Sequence, residues 1–355
     1  MPSFLSSLIK RIFSIIITLL VTTMVMYGIM MLTPVETRAE LFMPKNLPMR
    51  LTEEQIEKML QLKIEQNHLN DPFPIQYYYW VSNLVKGEWG YSYTIGGGVL
   101  EAIINRSPVT AELTFYSILL FFPLGLLSGV IAGSRQNKLA DHGFRFSAYV
   151  ATSLPPVILA MVLLSIFYVN LNWFSPERSG MSTYLLIRSD EFRQITGLLT
   201  IDGLLNGRPD VTLDALRHLA MPVFTLTLVH WATLARITRT AIIDTKHQDY
   251  VVAARARGVP ENRITWRHML PNAIAPGLAS SALSSASLVT GVFVVEIIYN
   301  FHGISEIATK SLQFIPDASS ALGFSIYSVL VVLLLMNCLD VIQKLMDPRT
   351  THGGK

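Results

Sequence analysis

The chain reads as an all-α polytopic membrane protein with six transmembrane helices. Composition is the first reason: 51% of its 355 residues are hydrophobic and only 15% are charged, too apolar for a soluble domain that must keep charge on its surface. Mean hydropathy is +0.41. The second reason is patterning, because the apolar residues collect in runs of about 20, the length that spans ~30 Å of hydrocarbon. The third is the placement of basic residues, which gather beside alternate runs.

Six spans follow in order. The first, 12–31, is preceded by Lys10 and Arg11; it is too long for a signal-peptide core and lacks a small-residue cleavage site, so it reads as a retained anchor. The second is 111–133 and the third 146–169. Pro222 and His230 interrupt the fourth, 219–237, and the serine-rich stretch 280–287 dilutes the fifth, 275–299. Small and hydroxyl residues suit a helix packed against protein rather than lipid. The sixth is 321–342. Five spans, the alternative count, put the C-terminus on the opposite side.

Orientation follows from the positive-inside rule. With six spans, Lys10 and Arg11, then Arg135, Lys138 and Arg145, then the run from Arg236 to Arg267, and finally Lys344, Arg349 and Lys355 all fall on one side. That side is cytoplasmic, with both termini on it. The organisation is therefore 1–32 (N-terminus and first span), 33–110 (extracytoplasmic segment with a short helix), 111–342 (five further spans, with an outer loop 170–218 and a cytoplasmic loop 240–274) and 343–355 (cytoplasmic tail). The single cysteine, Cys338, excludes an intramolecular disulfide or a thiol metal cluster, and the net charge of +3 singles out no partner.

In the outer segment, Thr52 with Gln55 three residues on predicts a capping box that starts a helix, and Asn70, Asp71 and Pro72 end it. The aromatic group Tyr77, Tyr78, Tyr79 and Trp80, with Trp89, Tyr91 and Tyr93, reads as an interfacial belt in preference to a sugar- or peptide-stacking surface. Gly96, Gly97 and Gly98 read as a flexible turn, with no Lys-Ser/Thr pair to make a phosphate loop.

The cytoplasmic loop carries the strongest signal. Ala253, Ala254 and Ala256 form helix with little bulk, so their backbone fits a groove on another protein. Gly258 permits the positive φ that ends such a helix, and Pro260 suits the first turn of the next. Arg255, Arg257, Arg263 and Arg267 are available to acidic partners or to lipid phosphates. Charge alone is a topology signal; spacing makes it more. Tyr250, Ala253, Ala254 and Gly258, followed by His268, Leu270 and Pro271, resemble the EAA loop of importer-type ABC permeases.

The resemblance narrows to the di- and oligopeptide branch, first-permease (B-type) subunit, through Thr238-Arg239, Asp249-Tyr250-Val251, Ala254-Arg255-Ala256-Arg257-Gly258 and Arg267-His268-Met269-Leu270-Pro271-Asn272-Ala273. It extends to His68-Leu69-Asn70-Asp71-Pro72 with Gln76-Tyr77, Gly87-Glu88-Trp89-Gly90, Pro108-Val109-Thr110, Val295-Glu296, Gly303-Ile304 and Asp347-Pro348-Arg349. Val252 stands in place of the motif's acidic residue and His268 in place of its isoleucine. Ser305 replaces an expected glycine, and Asp317-Ala318 stands where Asp-Tyr-Pro is expected.

The resemblance implies the type I ABC importer permease fold in a bacterial cytoplasmic (inner) membrane. It also implies a second homologous permease, two ABC ATPase subunits docked on the coupling loops, and an extracytoplasmic solute-binding protein that delivers a peptide, or else a nickel chelate, glutathione or a sugar. The chain has no G-x-x-x-x-G-K-[ST], so ATP and Mg belong to the partner ATPases, and this subunit is expected to bind no cofactor or metal, to contact lipid, and to bind no nucleic acid. With no H-E-x-x-H and no G-x-S-x-G, no catalytic residue is assigned and an intramembrane hydrolase lacks its nucleophile motif. An ion-coupled secondary transporter calls for inverted repeats and charged midplane sites, which the sequence does not present. Among the polar residues in spans, Glu112, His230 and Glu296 are candidates for a substrate path, with a structural hydrogen bond the favoured alternative for each, and Asp340 near the end of the sixth span reads as structural.

Overall fold

The computed structural model describes residues 2–39, 42, 52–313 and 317–346, and within them not the side chains at 2–8, 10, 11, 53, 275–286, 313, 339, 340 and 342–346. Lys10, Arg11, Asp340, Lys344, Arg349, Lys355, serines 280–286 and the Asp347-Pro348-Arg349 match therefore lie outside the described side chains. In chain order the elements are α1 (Pro2–Met30), α2 (Val35–Ala39), α3 (Glu53–Gln66), α4 (Phe73–Val85), β1 (Tyr91–Ser92), β2 (Gly97–Gly98), α5 (Val99–Ser134), α6 (Leu139–Ser153), α7 (Pro156–Leu163, continued by a π segment Leu164–Asn170), α8 (Met181–Ile187), α9 (Leu199–Leu205), α10 (Pro209–Thr245), α11 (Asp249–Ala256), α12 (Glu261–Arg263, continued by a π segment Ile264–Met269), α13 (Leu270–Ile298), α14 (Ser305–Gln313) and α15 (Ala318–Met346). The chain forms two compact units, Met1–Ser107 with Gly303–Leu333, and Pro108–His302 with Leu334–Lys355.

Among the described residues, four helices are long and apolar enough to cross a bilayer: Ile12–Met30, Val99–Ser134, Pro209–Thr245 and Ala318–Cys338. The expected third span is not one straight helix. Leu139–Ser153 and Pro156–Asn170 meet at 98°, and count as a fifth crossing only if the bent pair is one span. Pro155 and Pro156 are the cause, since each lacks an N–H and a residue before proline is driven out of the helical region; Leu154 is extended, with φ −100° and ψ 122°. The expected fifth span coincides with α13, partly within 275–286. Pro222 does not break the fourth: α10 runs through it, as helices in an apolar medium do when neighbours satisfy the freed backbone group.

In the first unit, the expected capping box starts α3, with the Thr52 N–H donating to Gln55 Oε1 at 3.1 Å. Tyr77 and Trp80 pack against α1. Trp80 is buried and its ring lies 4.9 Å from that of Tyr27 on α1, while the Tyr77 hydroxyl is 2.8 Å from Thr23 Oγ1. Buried Gln76 is the hub beneath them: its Oε1 accepts from Arg38 at 2.6 Å and its amide nitrogen donates to the Leu69 and Asp71 carbonyls. The glycine run is not a free turn either, because Gly97 and Gly98 pair antiparallel with Ser92 and Tyr91. Asp317 fastens this hairpin, accepting from Ser92 Oγ at 2.6 Å and Thr94 Oγ1 at 2.9 Å while taking the Ser320 N–H at the start of α15.

The second unit is organised around α10, which packs against α6, α7, α9 and α13. Its core joins Leu113 and Phe121 of α5, Leu219, Leu226 and Leu234 of α10, Val292 and Val295 of α13, and Tyr299. Farther along α10, from Leu234 onward, the backbones of two helices nearly touch. Gly125, Gly129 and Gly133 recur every four residues on α5; a Cβ on Gly129 would sit 2.7 Å from Thr238 Cβ, and one on Gly133 would sit 2.8 Å from the Arg239 carbonyl oxygen. Only glycine allows that approach, the small-residue packing characteristic of helices in membranes.

Candidate functional site

The cytoplasmic loop predicted at 240–274 is a two-faced structure. Gln248, extended at φ −75° and ψ 145°, leads into α11. On this short helix Val251 and Ala254, three residues apart, are buried, while Tyr250, Val252, Ala253, Ala256 and Arg257 are exposed. The helix ends on Gly258, whose φ of +75° is the left-handed value that the sequence called for. The Gly258 N–H donates to the Arg255 carbonyl at 2.9 Å and the Val259 N–H to the Ala254 carbonyl at 3.1 Å. That pair of bonds is a Schellman motif, and Val259 completes it with an apolar contact.

Pro260 then caps α12, and the π segment Ile264–Met269 carries the chain into α13. Ile264 and Met269 turn inward and join Val251, Ala254 and Ala273 on a seat made by Val130 of α5 and Ile242 of α10. Leu270 and Pro271 are half-buried beside this cluster, and His268 is half-buried, with its carbonyl accepting from the Asn272 amide at 2.9 Å.

Two sequence readings change here. Ala254 is 2% exposed, so it belongs to the face that lies on the protein's own core and not to the exposed face with Ala253 and Ala256. Three near-adjacent alanines carry no polar contrast to mark which face is which. Arg255 is not free for a partner: its Nε and Nη2 meet the Glu261 carboxylate at 2.5 and 3.2 Å, clamping α11 to α12. That hydrogen bond, with the charges of Arg255 and Lys246 adding to it, holds the Glu261 carboxyl below its ordinary value. Arg257, Arg263 and Arg267 remain exposed, with Arg257 Nε also donating to the Ala253 carbonyl at 3.2 Å.

The outer face includes residues that the motif did not single out. Val252 is 53% exposed and Trp266 39%, placing apolar side chains on the same small element as Tyr250 and the three arginines. The signal was present as Val252 itself, a valine where the resemblance expects an acid.

The three intramembrane candidates sit elsewhere in this unit. Glu112 is buried, with Oε2 accepting from Arg178 at 2.8 Å and Oε1 accepting from the Thr200 N–H and hydroxyl at 2.8 and 2.7 Å. Glu296 is fully buried and accepts from Thr110 Oγ1. His230 packs with its ring 5.5 Å from that of Phe121. Both carboxylates thus have the structural partners that the sequence favoured over a substrate role, and the structure does not bring the three together with the loop.

Comparison with known proteins gives this architecture a family. The family described as "Binding-protein-dependent transport system inner membrane component" matches residues 125–352, the stretch from the glycine contacts of α5 through the loop to the C-terminal region. The chain is 32% identical over 286 residues to the di/tripeptide transport system permease protein DppB of Pseudomonas aeruginosa, covering 80% of this chain and 82% of that protein. It is 30% identical over 290 residues to the probable D,D-dipeptide transport system permease protein DdpB of Escherichia coli, covering 82% and 84%. The dipeptide transport system permease protein DppB of Bacillus subtilis is 26% identical over 343 residues, 96% of each chain. With the match running through α5, α10 and the loop seated between them, this chain belongs to the family of binding-protein-dependent transport system inner membrane components.

Proposed function

We propose that the chain is one of two permease subunits of an ATP-driven importer of short peptides, and that its cytoplasmic loop is the element on which an ATPase subunit docks. The observation that carries the reading is the division of the loop into two faces. Val251, Ala254, Ile264 and Met269 rest on α5 and α10, whereas Tyr250, Val252 and Trp266 leave apolar area exposed beside Arg257, Arg263 and Arg267. Exposed apolar groups rimmed by charge mark a protein contact. A push on the outer face passes directly into two membrane-crossing helices.

In this reading ATP and Mg are bound by two partner ATPases, an extracytoplasmic solute-binding protein delivers the peptide, and a second homologous permease supplies the other wall of the path. Closure of the ATPases moves the two loops together and reorients the spans by rigid-body rotation between inward-open and outward-open states. The six-span topology, with both termini cytoplasmic in a bacterial inner membrane, belongs to the same proposal. The peptide assignment is supported by the names of the relatives.

Three experiments test it. Cysteines placed at Lys138 and Arg263 are expected to be shielded from an impermeant thiol reagent in intact cells, while those at Glu54 and Arg193 react; labelling of position 263 from outside overturns the topology. Affinity purification of the tagged chain from its native membrane is expected to bring down ATPase subunits and a second permease. Proton-driven dipeptide uptake by vesicles containing this chain alone would refute the importer assignment.

A further inference from the structure

We propose that Asp141 and Arg239 are a positioning pair that makes α6, the cytoplasmic half of the bent third segment, move as one body with the docking loop; the inference rests on the coupling reading above. Asp141 is fully buried. Its Oδ1 accepts from Arg239 Nε at 2.5 Å and its Oδ2 from Arg239 Nη2 at 2.8 Å, a two-pronged contact between α6 and α10. A third donor fixes the carboxylate from its own side, the Asn137 N–H at 2.9 Å, from a residue held at φ +61°.

The location gives this pair its consequence. Three residues after Arg239 on α10 comes Ile242, part of the seat on which Val251, Ala254 and Ile264 rest, and the Arg239 carbonyl lies against Gly133 of α5. The loop, α5 and α10 are thus joined by close packing, and α6 joins them through a fork of two parallel hydrogen bonds. Farther along α6 the contact with α10 continues through apolar side chains, Ala148 and Ala151 against Ala232, with Leu228 packed beside them and the Phe144 and Trp231 rings edge-on at 5.9 Å. Apolar packing is non-directional, whereas a fork-to-carboxylate contact fixes distance and angle together. Burial of one ion pair is not needed for stability, since apolar residues of equal volume serve as well; what the pair supplies is registration. α6 then turns through 98° into α7, so any displacement of its cytoplasmic end is delivered to a segment pointing in a different direction from the helix that received the push.

The test uses the assembled importer, with Cys338→Ser as background and spin labels at His142 on α6 and Asn262 in the loop. Distances between labels are measured without nucleotide and after trapping with Mg-ATP and vanadate. In the otherwise native chain the distance is expected to be the same in both states. With Asp141→Asn it is expected to shift by ~5 Å, about one helical turn, on trapping, and the exchanged pair Asp141→Arg with Arg239→Asp is expected to restore the constant distance. If Asp141→Asn does not assemble, Arg239→Lys, which keeps the charge and loses the fork, carries the same measurement. A constant distance in the single variants, or a trapping shift in the native chain, overturns the pair's role while ATPase capture keeps the coupling reading intact. Loss of ATPase capture by the native chain overturns both.

Discussion

The loop between α10 and α13 and the segment between α7 and α10 are both connections within one unit, and they are held in opposite ways. The segment between α7 and α10 is organised by two buried carboxylates and one half-buried one. Glu112 takes three donors, Asp202 takes the Thr196 hydroxyl with the Thr196 and Gly197 N–H groups, and Asp214 takes the Gly180 N–H. Such acceptors satisfy an irregular backbone from inside, while Met181, Leu185, Leu204 and Leu205 stay exposed. The loop instead rests on an apolar seat, is closed by a glycine and one exposed ion pair, and leaves Val252, Trp266 and Tyr250 facing out. One connection is fixed by polar acceptors, and the other by apolar packing.

The largest expected effect lies in the segment between α7 and α10. Glu112→Ala leaves the Arg178 guanidinium without its carboxylate partner and the Thr200 N–H without an acceptor, and breaking a buried pair costs about 3–5 kcal/mol. Thermal unfolding in detergent should fall sharply, and protease should gain access near Arg188 and Arg193. An unchanged transition would mean that this segment is held by its apolar contacts and that the contrast drawn here is false.

A smaller effect is expected at Gly258. Valine there pays for a left-handed backbone, about 1–2 kcal/mol, in a position where an added Cβ meets nothing within 4 Å. The cost is therefore conformational and local. Hydrogen exchange should rise over 249–263 while the membrane helices keep their protection, and ATPase capture should fall. Val252→Asp separates seat from surface: an exposed substitution changes stability by less than about 0.5 kcal/mol, yet capture should drop because the apolar face has gained a charge. Retained capture would remove Val252 from the contact.

The smallest effect is the Arg255 and Glu261 clamp. Glu261 has its pKa depressed in the folded loop, so its contribution is complete above the ordinary glutamate value of about 4.3 and is lost as pH falls through the lower folded value. Being exposed, the pair is worth about 0.5 kcal/mol. Exchange protection over α11 and α12, taken relative to the intrinsic amide rate at each pH, should be constant near neutral pH and fall only in acid, and Glu261→Gln should abolish that fall while keeping the Schellman closure.

Legibility in the sequence followed the range of the interaction. Features set by neighbouring residues were readable: the apolar runs, the Thr52 and Gln55 cap, and the positive φ at Gly258. The break of the third segment was readable too, since Pro155 and Pro156 stand side by side, but the hydropathy of the run hid it. Long-range pairings were not. Glu112 with Thr200, Asp141 with Arg239 and Asp317 with Ser92 join residues 88, 98 and 225 positions apart, and no local pattern announces them. Asp317-Ala318, odd beside the family's Asp-Tyr-Pro, keeps the aspartate that does the fastening. Ala254 failed for a different reason: a small side chain carries no sign of which way it faces.

The glycine contacts between α5 and α10 set the mechanics of the machine. Where two helices are separated by long side chains, the layer between them can yield, and part of any imposed stroke is absorbed as rotamer changes. From Leu234 to Ile242, about 12 Å at 1.5 Å per residue, α10 lies on Gly125, Gly129 and Gly133, with the Leu234 side chain over the first glycine and the Ala235 and Arg239 carbonyls directly against the other two. Close-packed backbone has little compressibility, so this joint works without slack. Under the proposed coupling, the amplitude of movement in the membrane follows how far the loop is driven.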